Sequence, residues 1–151
     1  MEQSTRRDAA PGSEWAQHQS VRIDTRKHPV SIGHGSVLHA DVTISATNGP
    51  VAIGRYCVLD DQCTVENKLP PRADGTPQTL VVGDYCVLGP RSEMLGVSLG
   101  RGSALEAMAV VGSGCHVGDG CTVMATCRVP PHTDVAESTV VYGRDAQWRS
   151  V

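Results

Sequence analysis

The chain has 151 residues and a mass of 16.0 kDa, room for one domain. Hydrophobic residues make up 40% and charged residues 19%, which excludes a wholly disordered chain. A net charge of −3 and a pI near 6.0 give no electrostatic footprint for nucleic acid or for an anionic membrane surface.

The first 28 residues carry no regular pattern. They include Arg6-Arg7 with no apolar segment behind them, so they do not read as a secretory signal. They are expected to form a flexible N-terminal tail, with Trp15 the one residue there placed to dock on the folded part. No apolar run in the chain approaches the ~20 residues of a membrane span.

From residue 29 onward the chain repeats. Stepping by six from Leu99 gives Leu105, Val111, Val117, Val123, Val129, Val135 and Val141. The residue two before each is small or β-branched (Ser103, Ala109, Cys115, Cys121, Cys127, Thr133, Thr139), and the residue after is often glycine. The same step links Ile32, Leu38 and Ile44, then Ile53, Leu59 and Val65, then Val82, Leu88 and Met94, with slips between the sets. This is a hexapeptide repeat, and it predicts an all-β, single-stranded parallel β-helix over 29–151. Six residues per side and three sides make a triangular coil, and about six coils follow. Rungs ~4.8 Å apart give a prism roughly 25–30 Å long. A β-sandwich is the alternative, but it alternates with period two. Residues 66–80, with three prolines and a D-G turn, predict one loop projecting from a corner.

The six cysteines, Cys57, Cys63, Cys86, Cys115, Cys121 and Cys127, all fall two before a column aliphatic. That slot makes them reduced, buried core residues rather than zinc ligands, and reduced thiols suit the cytosol or nucleus. His18, His28, His34, His39, His116 and His132 read as surface histidines, none with a carboxylate partner at ligand spacing. Asp60, Asp61 and Glu66 read as an acidic cluster at one corner. Tyr56 and Tyr85 occupy equivalent positions in successive coils, a stacked outside pair suited to packing or contact. Glycines in GHGS (33–36) and GSGCHVGDG (112–120) read as corner glycines needing φ > 0.

The stretches GPVAIGRYCVLDDQCTVEN (49–67), LVVGDYCVLGPRSEM (80–94) and PHTDVAESTVVYGRDAQWR (131–149) resemble the hexapeptide-repeat subunits of dynactin, from about Val30 to Trp148. The resemblance implies a left-handed β-helix and a non-catalytic scaffold role in the dynactin pointed-end complex. It implies as partners dynactin subunit 5, dynactin subunit 4 and the pointed-end actin-related protein. It also implies a place in the cytoplasm and cytoskeleton, supporting dynein–dynactin cargo binding and microtubule-based transport. Those subunits continue into a C-terminal helix, whereas this sequence stops at Val151. No helix is therefore expected over the final rungs of Val135 and Val141, and an end or a side face is expected to be covered by another subunit. Tyr56, Tyr85, Tyr142, Arg144, Trp148 and Arg149 are the expected partner-binding residues.

The same region is similar to γ-class carbonic anhydrases, and hexapeptide acyltransferases share the fold. The three zinc-histidine slots of the anhydrases match Glu66, Pro90 and Leu95 here, and their arginine matches His39, though Asp41 is kept. With those ligands missing, no metal, cofactor or catalytic residue is expected. A γ-carbonic-anhydrase-like or acyltransferase enzyme stands as the alternative, and a free-standing homotrimeric binding protein as a third reading.

Overall fold

A computed structural model describes residues 4–8, 14–143 and 147–150. The period of six becomes three sheets wound into one triangular prism. Side A stacks β2 (Glu14–His18), β5 (Val37–Leu38), β8 (Val58–Leu59), β11 (Val87–Leu88), β14 (Ala104–Leu105), β17 (Thr122–Val123) and β20 (Thr139–Tyr142). Side B stacks β3 (Arg22–Asp24), β6 (Thr43–Ser45), β9 (Thr64–Glu66), β12 (Glu93–Met94), β15 (Val110–Val111) and β18 (Arg128–Val129). Side C stacks β4 (Val30–Ile32), β7 (Val51–Ile53), β10 (Leu80–Val82), β13 (Ser98–Leu99), β16 (His116–Val117) and β19 (Asp134–Val135). These pairings are all parallel. Side A is extended at each end by an antiparallel strand, β1 (Ser4–Asp8) on β2 and β21 (Gln147–Ser150) on β20.

Short strands alternate in and out, so each contributes one or two inward aliphatics. Leu38, Leu59, Leu88, Leu105, Val123 and Val141 stack on side A; Ile44, Val65, Met94, Val111 and Val129 on side B; Ile32, Ile53, Val82, Leu99, Val117 and Val135 on side C. All are buried, each worth roughly 1.5–3 kcal/mol on removal from water.

Residues 14–28, expected within the flexible tail, instead form the first rung. Ile23 stacks under Ile44, and Gln17, buried, stands in the side A column under Leu38. Trp15 packs on the core and donates its Nε1–H to Gln17 Oε1 (3.3 Å). An amide and an indole thus close an end that a further aliphatic would leave apolar and open.

Between sides C and A each coil turns through the same four positions: GHGS (33–36), GRYC (54–57), GDYC (83–86), GRGS (100–103), GDGC (118–121) and AEST (136–139). At Gly33, Gly54, Gly83, Gly100 and Gly118 an added Cβ would lie within 2.8 Å of the next rung's backbone. These glycines answer a close approach, not a backbone angle. The left-handed residue is two further on: Gly35, Gly102 and Gly120, but also Tyr56 (φ 55°) and Tyr85 (φ 59°). The fourth position supplies a donor to the next rung's first-position carbonyl: Ser36 Oγ to Gly54 O (2.8 Å), Cys57 Sγ to Gly83 O (3.1 Å), Cys86 Sγ to Gly100 O (3.1 Å), Ser103 Oγ to Gly118 O (2.8 Å) and Cys121 Sγ to Ala136 O (3.0 Å).

The loop between β9 and β10 is tied at its base. Asn67, buried, donates to Pro50 O (2.9 Å) and Gln78 O (2.8 Å) and accepts from Leu69 N (3.0 Å). Leu69 tucks under it, while residues 70–77 are exposed.

Two neighbouring glycines separate these constraints. Gly100→Ala drives a methyl into the Gly118–Asp119 backbone, and overpacking costs about 1–3 kcal/mol. Gly102→Ala meets open space at φ 70°, so only the left-handed backbone is penalised, at about 1 kcal/mol. Urea unfolding midpoints should fall further for Gly100→Ala.

Candidate functional site

The outward residues of the three sides differ in chemistry. Side C presents Ser31, Ala52, Val81, Ser98, His116 and Asp134; side B presents Thr43, Thr64, Glu93, Val110 and Arg128. Side A presents Ala16, Val37, Val58, Val87, Ala104, Thr122 and Val140, aligned rung on rung. It is an uncharged stripe one residue wide and seven rungs long.

The corners on either side of that stripe carry exposed tyrosines and methionines among charged residues. At the C–A corner Tyr56 and Tyr85 stack with centroids 5.5 Å apart and planes 12° from parallel. His34 meets Tyr56 edge-on at 5.6 Å, and the Arg101 guanidinium lies 5.4 Å over Tyr85. Gly35 leaves room for the Tyr56 ring, which lies against it. Arg55 and Asp84 pair beside the stack at 3.4 Å. Asp84 also accepts the Arg55 backbone N–H (2.8 Å), and that bond first, then the guanidinium, holds its carboxyl below the ordinary value. Two tyrosines held in left-handed backbone are strained. At the A–B corner stand Met108 and Met124, 52% and 41% exposed. Among the described residues seven large hydrophobics are exposed: six lie on side A, at its corners or on β21, and Val81 lies on side C.

At the C-terminal end the A–B corner opens into a groove of about 1110 Å³, lined by Met124, Cys127, Val140, Tyr142 and Arg149 among others. Arg149 pairs with the outward Val140, and Trp148 pairs with the inward Val141. Trp148 therefore sits on the core side of the hairpin, still 44% exposed. The expected contact residues thus fall into two groups, Tyr56 with Tyr85 at one corner and Tyr142 with Arg149 at the other. Arg144 lies outside the described residues.

All six cysteines are free and buried. Burial, then the charges of Asp60 and Asp61, pushes the Cys63 thiol up to about 12. Cys57 and Cys86 titrate as a pair, and the interaction with Cys57, then burial, raises the Cys86 thiol. Burial raises Cys115 as well.

The acidic cluster is not the one expected. Glu66 turns to Lys68 (3.4 Å). Asp60 and Asp61 instead meet His39, with ligand atoms of all three within 4.8 Å of one another. His39 therefore does have carboxylate partners, one coil away rather than nearby in sequence. Of the slots that hold zinc in the anhydrases, Pro90 is exposed and offers no donor, and Leu95 is half-buried.

Repeat, sheets and prism together define a hexapeptide-repeat left-handed β-helix. Residues 79–113 match the family described as the hexapeptide repeat of succinyl-transferase. GDP-perosamine N-acetyltransferase from Caulobacter crescentus has a similar fold, with a TM-score of 0.72 and 25% identity over 91% of this chain and 57% of that one. Along nearly its whole length the chain is similar to dynactin subunit 6: 29% identical over 149 residues to the Xenopus tropicalis protein and 28% over 145 residues to that of Danio rerio, 96% of this chain in each case. It spans 64% and 66% of the length of those two relatives.

The thiols give a pH test. A group whose folded pKa is raised binds its proton more tightly in the native state. Stability is therefore full below the unfolded thiol value and falls as pH rises toward the folded one. For Cys63 that window runs from 9.0 to about 12. Urea midpoints should decline across it, and Cys63→Ala should flatten the decline. Thiol reagents should label the native protein slowly and the unfolded protein completely.

Proposed function

We propose that this protein is a non-catalytic scaffold subunit of a dynactin pointed-end complex and that side A is the surface through which it docks. The observation that carries the reading is the uncharged, rung-aligned stripe of side A between its tyrosine and methionine corners. Similarity to dynactin subunit 6 supplies the assembly. In this reading dynactin subunit 5 docks on side A, dynactin subunit 4 and the pointed-end actin-related protein complete the neighbourhood, and the work is cytoplasmic: supporting dynein–dynactin cargo binding and microtubule-based transport.

The physics of the surface suits a β-helical partner. Seven rungs spaced ~4.8 Å apart make a ridged plane roughly 29 Å long, and another parallel solenoid presents ridges of the same pitch. Valines interdigitating at that pitch exclude water along the whole length, and the corner tyrosines supply the amphipathic rim typical of interfaces. Arg101 and Arg149 add charge at the edges, where it steers association.

An acyltransferase is the second reading, favoured by the fold shared with the Caulobacter crescentus N-acetyltransferase and by the C-terminal groove. Its test is acetyl transfer from acetyl-coenzyme A to amino-sugar acceptors. Turnover abolished by mutation of groove residues would establish it.

For the scaffold, Val58→Lys with Val87→Lys should weaken capture of dynactin subunit 5 at least tenfold, about 1.4 kcal/mol. Val87 is exposed and Val58 half-buried, both facing outward from the core, so the melting temperature should fall far less than capture does. The same double change on side C, Ala52→Lys with Ser98→Lys, should leave capture intact. Equal loss from both variants, or from neither, removes side A as the docking surface.

A further inference from the structure

Side A is complementary to itself. Its C–A corners carry, at the second position and in chain order, His34, Arg55, Asp84, Arg101, Asp119 and Glu137. Bases lead and acids end the row. Consider a twofold axis lying in the face, along the strands, midway between β11 and β14. It reverses the solenoid and sets this corner against the same corner of a second copy. Rung for rung, His34 then meets Glu137, Arg55 meets Asp119, and Asp84 meets Arg101. A base faces an acid at every rung. Within one chain Arg55 pairs with Asp84, while Arg101, Asp119 and Glu137 form no ion pair among the described residues.

Bulk follows the same symmetry. At the third corner position Tyr56 and Tyr85 precede Gly102 and Gly120 along the solenoid. The axis sets Tyr85 over Gly102 and Tyr56 over Gly120 of the second copy. Both glycines leave space there: a Cβ at Gly102 meets nothing, and one at Gly120 meets only Ser138 Oγ at 3.7 Å. The outward column agrees, with Val87 falling on Ala104 and the half-buried Val58 on Thr122.

Side C borders the same corner, but the same operation there buries His116 against Ala52 and Asp134 against Ser31, and an unpaired charge is costly to bury. Side A has no charge in its column to bury. Six residues at ~3.3 Å make the face just under ~20 Å wide, and seven rungs make it roughly 29 Å long. Two copies then bury about 1,100 Å², the lower end of specific interfaces.

We infer that side A, when no other partner covers it, seats a second copy of this chain with the two solenoids antiparallel. The dimer is weak and exchangeable. It needs only the chain itself, not the dynactin assembly, and it competes with dynactin subunit 5 for the same face.

The test is sedimentation equilibrium of the full chain at pH 7.5 over a micromolar concentration series. The parent should pass from monomer to dimer, with a dissociation constant that rises with salt. Arg55→Glu and Asp119→Lys should each raise that constant about tenfold or more, and the two together should bring it back toward the parent's value. Within one chain these residues stand three rungs, ~14 Å, apart, so recovery reads a contact across the axis and not a repaired fold. Ala52→Lys with Ser98→Lys on side C should leave the constant unchanged. A monomer throughout, a trimer, or a double variant no tighter than the single ones would each overturn the dimer. Capture of dynactin subunit 5 is read separately. A monomeric chain that still captures it overturns the dimer alone, and a dimer that fails to capture it upholds the dimer and removes the docking reading.

Discussion

The prism depends on backbone resting on backbone at the C–A corner. At Gly33, Gly54, Gly83, Gly100 and Gly118 the next rung's main chain occupies the space a side chain would need. Three positions later a hydroxyl or thiol reaches across to the carbonyl of the glycine above. Glycine sets the approach and the donor fixes the register, so each rung is a template for the next. That explains where the chain tolerates irregularity. The extra residues before Ile32 and Ile53, the loop before Leu80 and the shortened step before Leu99 all fall between sides B and C. From side C through A to B the step is six in every coil. Side A is thus bounded by two regular corners and keeps a uniform pitch.

Most of this was legible in the sequence, because a strict period of aliphatics has few physical solutions. The first rung was not, because its side A column position is Gln17, a polar residue where the period demands an aliphatic. A signal existed at a longer range. Ile23, Pro29, Val30, Ile32 and Gly33 return 21 residues later as Ile44, Pro50, Val51, Ile53 and Gly54. Read at 21 rather than six, the repeat reaches back into residues 14–28. The polar exception is itself meaningful, since a terminal rung has one face without a neighbour.

The cysteines and histidines were legible to different depths. Register alone places the thiols inside, but Ser36 and Ser103 share the corner slot of Cys57, Cys86 and Cys121 because each of the five donates to a carbonyl of the next rung. Corner glycines were credited with backbone freedom, whereas tyrosine also occupies the left-handed position and Gly33, Gly112 and Gly118 answer close approach. His39 with Asp60 and Asp61 escaped a search for short ligand spacings because solenoid neighbours lie one coil apart in sequence.

The valines of side A could be ascribed to strand propensity, since β-branched residues suit extended backbone. The other two sides argue against that. Their strands are equally short and equally paired, yet apart from Ala52, Val81 and Val110 the outward positions named above are serine, threonine, histidine, aspartate, glutamate and arginine. Propensity acts on all three sides alike, so it cannot select one. Nor can the core, which the outward residues do not touch. The two antiparallel strands add to the asymmetry, because both extend side A and neither extends B or C. The period itself does not select one side for its outward chemistry, and that is the ground on which docking along side A is proposed.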